Sequence, residues 1–356
     1  MLAAASAFAQ APPSLAPSAS RDRKIVRRWA LPGNPRGVAI GADGTIYAGL
    51  AESQAVVAID PKAGTIAKRV VLDSADIAST KDLVTLRTSA DQTRLFIANG
   101  SDESVTILSL PALGVLREIT MEGETIRDVV PDPKGRYLYI LGRRVHVYDF
   151  EGRTELRTLD LAEPMAVAAS ANGAMLAVIA PEDFGNAKAT MAVLFDTTSF
   201  AEAARDPLQT EKAIEQVLFA DNDRALIALA RDTLFEKPLT AHPARAMTSD
   251  SNSGGRMRMK IDFGDLVNSN ALCLPEGSGP QIAALAGADT MLVYAERRCS
   301  SSGSGFEGSN RKVQFASLYG INAYALAYDK ATHTLVATDP AGFLTVYNVP
   351  RPAVAK

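Results

Sequence analysis

The sequence predicts an all-β protein, a seven-bladed β-propeller of four-stranded antiparallel sheets. Three observations predict it. A strand-turn-strand phrase returns about every 48 residues, best preserved in Thr45 to Asp60 and Arg94 to Leu108, and a unit of that length cannot bury its own apolar face unless neighbours stack around an axis. Seven tight turns punctuate the chain, at Ala42-Asp43-Gly44, Asp91-Gln92-Thr93, Pro133-Lys134-Gly135, Ala171-Asn172-Gly173, Asp221-Asn222-Asp223, Gly277-Ser278-Gly279 and Asp329-Lys330-Ala331. Their Asp, Asn and Gly residues suit the left-handed or side-chain-bonded conformations of hairpins. The third observation concerns the ends. Lys24 to Leu31 resembles the fourth strands Thr65 to Leu72 and Lys312 to Leu318, while the chain stops soon after a third strand, Phe343 to Val349. Residues 24–31 would therefore complete the last blade and remove free sheet edges, with Trp29 packed in the seam.

The elements follow in order. Met1 to Ala9 ends in Ala7-Phe8-Ala9, a small-x-small pattern suited to signal peptidase, and reads as a signal-peptide remnant whose basic and apolar parts lie upstream of this start. Residues 10–23 are polar and Pro-rich and read as a flexible linker. Residues 24–350 form one propeller domain, and 351–356 a tail. After each turn comes an apolar strand, such as Tyr137 to Leu141 or Met175 to Ala180. A third strand then ends apolar, apolar, polar: Ala58-Ile59-Asp60, Val147-Tyr148-Asp149, Leu194-Phe195-Asp196, Val346-Tyr347-Asn348. Period-2 alternation with β-branched and aromatic residues favours strands over helices.

Two parses fit the sixth blade, and the first is preferred. In one, Ala271 to Glu276 holds the first strand, Gln281 to Ala286 the second, Met291 to Glu296 the third and Lys312 to Leu318 the fourth. In the other, Gln281 to Ala286 is the first strand and Cys273 and Cys299 stand at neighbouring strand ends. Two cysteines in a secreted chain favour pairing, but two strand spacings of about 9 to 10 Å exceed a disulfide's reach of about 7 Å, so the bond stays open. Thr240 to Gly255 and Cys299 to Asn310 are long polar links on the face opposite the channel mouth, and Arg256 to Lys260 reads as an edge strand whose charges discourage aggregation.

Two segments, RLFIANGSDESVTILSLPALGVLREI and GVAIGADGTIYAGLAESQAVVAIDPKAGTIAKRVVL, resemble repeats of the YVTN family of bacterial β-propellers, most strongly over residues 36–161. Phe96-Ile97-Ala98-Asn99 stands for the name motif and Ile59 to Thr65 for the end of the unit. The resemblance implies a secreted or periplasmic binding protein, a lactone-hydrolysing enzyme, or a propeller that docks with redox or surface partners. It specifies fold rather than activity.

A functional site is expected where the inner strands start and ring the channel mouth. Those positions are Arg36, Lys81, Asp82, Arg127, Asp128, Glu163, Glu215, Asn270 and Tyr324. Arg36, Lys81 and Arg127 suit a small polar or anionic ligand, while the same ring would also serve as a solvated entrance. Asp82, Asp128, Glu215 and Asn270 are oxygen donors for a divalent ion in residue type only, and no spacing motif supports a metal. No catalytic residue and no cofactor is assigned: His146, His242 and His333 lie away from the ring, and no nucleophile elbow, zinc motif, haem motif or phosphate loop occurs. A net charge of -3 with no basic patch argues against nucleic acid, and no apolar run spans a membrane. The expectation is a periplasmic or extracellular, monomeric binding module for a small polar ligand or an envelope protein. The alternative is a metal-assisted hydrolase of lactones or esters using Asp82 and Asp128.

Overall fold

The computed structural model describes residues 25–72, 81–100, 102–183, 188–208, 213–220, 223, 225–230, 233–239, 260–262, 282–284, 290–296, 313–319, 324–329, 332, 334–339 and 341–348. Residues 1–23 and 351–356, read from the sequence as leader, linker and tail, lie outside them, as do Asn270, Cys273, Cys299, His242, His333 and the links 240–255 and 299–310. Among the described residues every regular element is a strand, and no helix is long and apolar enough to cross a membrane.

Seven sheets form among the described residues. The first holds β2 (Pro35–Ile40), β3 (Ile46–Leu50), β4 (Ala55–Asp60) and β5 (Thr65–Val71); the second β6 (Thr85–Thr88), β7 (Arg94–Asn99), β8 (Ser104–Ser109) and β9 (Val115–Thr120). The third holds β10 (Asp128–Pro131), β11 (Tyr137–Leu141), β12 (Val145–Asp149) and β13 (Glu155–Leu159). The fourth comprises β14 (Ala166–Ala169), β15 (Met175–Asp183), β16 (Lys188–Asp196) and β17 (Glu202–Pro207). The fifth comprises β18 (Ile214–Ala220), β19 (Ala225–Ala230), β20 (Thr233–Pro238) and β21 (Lys260–Asp262). In all five, sequence neighbours pair antiparallel. The inner strands lie side by side: β2 against β6, β6 against β10, β10 against β14 and β14 against β18.

The last sheet joins distant parts of the chain. Its order is β1 (Ile25–Ala30), β27 (Phe343–Asn348), β26 (Thr334–Thr338), β25 (Ala325–Asp329), with Trp29 opposite Leu344 and Ala30 opposite Phe343. Its inner strand β25 lies against β2.

The sixth sheet departs from the expected four antiparallel strands. It has three described strands, β22 (Ile282–Ala284), β23 (Thr290–Glu296) and β24 (Val313–Tyr319), and β23 pairs parallel with β24. The stretch between Glu296 and Val313 exceeds the dozen or so residues that a parallel return needs, whereas a short hairpin would force antiparallel pairing. β22 lies against β25, as an inner strand does, so the placement of residues 282–284 corrects the preferred parse, which made them a second strand, and agrees with the other.

Stacking explains the hydrophobic pattern. Ala55–Ile59 and Leu95–Asn99 are buried at every residue, because middle strands are covered on both faces and have no solvated side to alternate towards. Each apolar cluster sits between two adjacent sheets. One packs Trp29, Val336 and Leu344 of the last sheet on Val38, Ile46 and Val57 of the first; the next packs Tyr47 and Val56 on Leu86, Leu95 and Ile97. Close approach leaves no room for a Cβ at Gly37, which would stand 2.8 Å from the Leu83 carbonyl oxygen.

The inner turns repeat one geometry. Gln92, Gly135 and Gly173 have positive φ, and their N–H groups bond back to the carbonyls of Ser89, Asp132 and Ser170, all buried. A second repeated device lies at the rim. In β5, Ile66 faces Ile59 and Lys68 faces Ala58, so Ala67 is an extra residue. The same bulge falls at Leu116 in β9, Leu156 in β13, Ala203 in β17 and Val26 in β1, always opposite the last apolar pair of the third strand. Bulges twist an outer edge away from further pairing. Those in β1, β5, β9 and β13 are followed by a cation. Arg27 donates to the carbonyls of Pro61 and, at 2.6 Å, of Lys62 in the first sheet's outer turn. Lys68 donates to Ala112 in the second sheet's turn at 3.3 Å, and Arg157 lies over the Phe200 ring in the fourth. The outer strands β1, β5 and β13 thereby clasp the next sheet's turn, and β1 behaves like the other two.

Candidate functional site

Antiparallel order places the starts of the inner strands and the loops from second to third strand at one end of the sheets. The candidate residues there fall into three groups.

Arg36 and Tyr324 come together at the junction of the first and last sheets. The Arg36 guanidinium carbon lies 4.1 Å from the centre of the Tyr324 ring, a cation–π stack, and its buried Nε has no hydrogen-bond partner. Main-chain bonds fix both residues: the Thr338 hydroxyl donates to the Arg36 carbonyl and the Tyr324 N–H to the Thr338 carbonyl.

Lys81 is placed differently. Its side chain is fully buried, and its ammonium donates to Asp102, to Glu118 Oε1 at 2.7 Å and to Ser104 Oγ at 3.4 Å. This cation is enclosed between two carboxylates and holds the second sheet's outer strand and its β7–β8 loop together. Asp82 accepts from the Gly100 N–H at 2.7 Å, and Asp128 accepts from its neighbour Val129 N–H and from Arg87 at 3.2 Å. These two carboxylates, the acid–base pair of the hydrolase reading, are engaged by local partners. Among the described residues no group of three His, Cys, Asp or Glu side chains is arranged to hold a metal ion. His146 lies on β12 with its Nδ1 2.9 Å from Glu155 Oε1. Burial would raise Glu155, but hydrogen bonds from Thr158, His146 and Tyr148 hold it below the usual carboxylate range. Glu215 is exposed on β18.

Arg127 and Glu163 line a cavity of about 470 Å³ between the third and fourth sheets, reaching Ala213 just before β18. Met165, Pro181 and Ala189 supply apolar wall; Thr125, Gly142, Arg143 and Thr190 complete it. Arg127 donates to the Gly142 carbonyl at 2.6 Å and to the Pro164 carbonyl, bracing the two loops. Desolvation pulls its guanidinium below the usual arginine range, against the opposing charges of Glu124 and Glu163, and it stays a cation. Glu163 holds a left-handed backbone, φ 47°, which turns the chain into β14. Arg143 is exposed, and its N–H is anchored on Glu124. Arg127 and Glu163, named from the strand starts, line this cavity together with Arg143 and an apolar wall that the strand starts do not indicate. Gly142-Arg143-Arg144, a charged loop between second and third strands, was the available signal.

The chain matches no protein-family model and no curated protein. Solved structures do resemble it. A chain of the mitotic checkpoint complex crystal structure aligns over 99% of this chain and 100% of its own, with 13% identity and a TM-score of 0.62. The β-propeller domain of Cps50 (Swd1) from Myceliophteria thermophila aligns over 89% and 98%, with 13% identity and a TM-score of 0.64. Likeness at that identity speaks for the backbone alone, and with the four-stranded antiparallel sheets it shows that this chain folds as a β-propeller.

Proposed function

We propose that this protein is a binding module of the periplasm or the extracellular space, and that it acts through the face where the inner strands start. The observation that carries the reading is that the Arg36–Tyr324 stack and the Arg127–Glu163 cavity, contributed by separate sheets, both lie at the end of the sheets where the inner strands start. An aromatic-backed guanidinium and, on the same face, a largely apolar cavity walled by charged side chains suit recognition of a small polar ligand or of a polar loop of an envelope protein. The local engagement of Asp82 and Asp128 favours binding over hydrolysis. Repeats of YVTN type, seven blades and a ring closed by β1 complete the proposal, supported by the repeated turns, the shared rim bulge and the pairing of β1 with β27. The small-x-small pattern at Ala7-Phe8-Ala9 supports export, and a monomer is the proposed state.

The test is site-specific photocrosslinking in the cells that make the protein, combined with fractionation of their envelope. A photoreactive residue at Tyr324 should capture a partner in the envelope fraction, and one at Arg117 on the outer edge should not. Cytoplasmic protein, or equal capture from both positions, would contradict the proposal.

A further inference from the structure

We infer that the cavity between the third and fourth sheets receives a small aliphatic zwitterion, an amino acid or dipeptide bearing a free ammonium and a free carboxylate. This rests on the proposed use of the inner-strand face and names the ligand class of one site on it.

Size comes first. A volume of about 470 Å³ falls within the roughly 300–1,000 Å³ of small-molecule sites, enough for a dipeptide and too small for a folded partner's loop to enter deeply. Chemistry narrows the class. Met165, Pro181, Ala189 and Ala213 offer an aliphatic surface with no aromatic ring among the lining residues, so a short branched side chain fits better than a stacked base or sugar. The charged groups at the wall are two cations and one acid.

Their availability differs. Arg127 is committed to the carbonyls of Gly142 and Pro164 and acts as a brace that fixes the positive side of the wall. Arg143 is exposed, and its guanidinium has no partner among the described residues, leaving its planar donors free for a carboxylate. Glu163, exposed in the same cavity wall and felt electrostatically by Arg127, offers the complementary acceptor. A simple anion would meet the Glu163 carboxylate, and a simple cation would meet two arginines. A ligand carrying both charges a few bonds apart answers both.

Isothermal titration of the full-length protein with Ala-Leu, with N-acetyl-Ala-Leu and with Ala-Leu amide tests the inference. Ala-Leu should bind, and each capped form should bind at least about tenfold more weakly, as loss of one charge-assisted contact implies. Arg143→Ala should weaken Ala-Leu while erasing its advantage over the amide; Glu163→Gln should erase its advantage over the acetylated form. Both residues are exposed, so both variants should keep the wild-type urea midpoint. Absence of Ala-Leu binding by folded protein, or equal binding of the three probes, overturns the inference. If Ala-Leu fails while Tyr324 still captures an envelope partner, the zwitterion site falls and the binding face stands.

Discussion

Replacing Lys81 by methionine separates an ion cluster that holds the fold from a cation that serves a ligand. The side chain has no exposed surface, and it stands between Asp102, itself only 7% exposed, and Glu118, 32% exposed. Methionine would fill most of the volume but leave two carboxylates facing each other with no cation. Removing one partner of a buried pair costs about 3–5 kcal/mol. Glu118 can turn partly towards water, so the lower end applies, about 3 kcal/mol, a large share of the roughly 5–15 kcal/mol that holds a domain. Glu118→Gln should cost only about 1 kcal/mol, because Asp102 still neutralises the lysine. Urea unfolding followed by tryptophan fluorescence measures both, since the single Trp29 reports the first and last sheets. A loss below about 1 kcal/mol for Lys81→Met would refute the reasoning and return Lys81 to the set of ligand groups.

Other perturbations probe the packing between sheets. Trp29→Ala, at a residue 2% exposed between the first and last sheets, should cost about 3–5 kcal/mol in a urea titration read by circular dichroism, and a cost under about 1 would deny it that seam. Gly37→Ala forces a Cβ to within 2.8 Å of the Leu83 carbonyl and should cost about 1–3 kcal/mol; a stabilised variant would mean that the first two sheets separate easily. Asp339 titrates above an ordinary aspartate because burial outweighs the Phe343 N–H and the nearby Arg28. The folded chain therefore binds this proton more tightly than the unfolded chain, so the Asp339 contribution declines as pH rises from about 4 through the raised value. Asp339→Asn should gain on the wild type over that interval in urea midpoints measured from about pH 4 to 7, and the opposite trend would contradict the assignment.

Much of this molecule was legible because its turns are chemical. Asp-Gly, Lys-Gly and Asn-Gly before Thr45, Arg136 and Ala174 mark hairpins through the positive φ they permit, and Gly44, Gly135 and Gly173 occupy it. The likeness of Lys24 to Leu31 to a fourth strand was legible too, and the Val26 bulge shows that it extends to the backbone. Three matters were not. The parallel pairing of β23 and β24 depends on where a long Ser/Gly-rich link returns, which composition does not encode. The fate of Lys81 depends on Asp102 and Glu118, residues 21 and 37 positions away, and sequence shows charges without showing which are enclosed together. The cavity depends on loops from two sheets meeting, so Arg143 and Met165 carry no common signature along the chain.

The central claim is that the N-terminal strand β1 is the outer strand of the last sheet. Cysteines at Ala30 and Phe343, which face each other across β1 and β27, test it most directly in a background where Cys273 and Cys299 are serine. Mild oxidation should give an intramolecular disulfide, seen as faster migration without reductant, and should raise the thermal midpoint because the bond closes a loop of nearly the whole chain. Free thiols in folded protein, or disulfides only between molecules, would contradict the account.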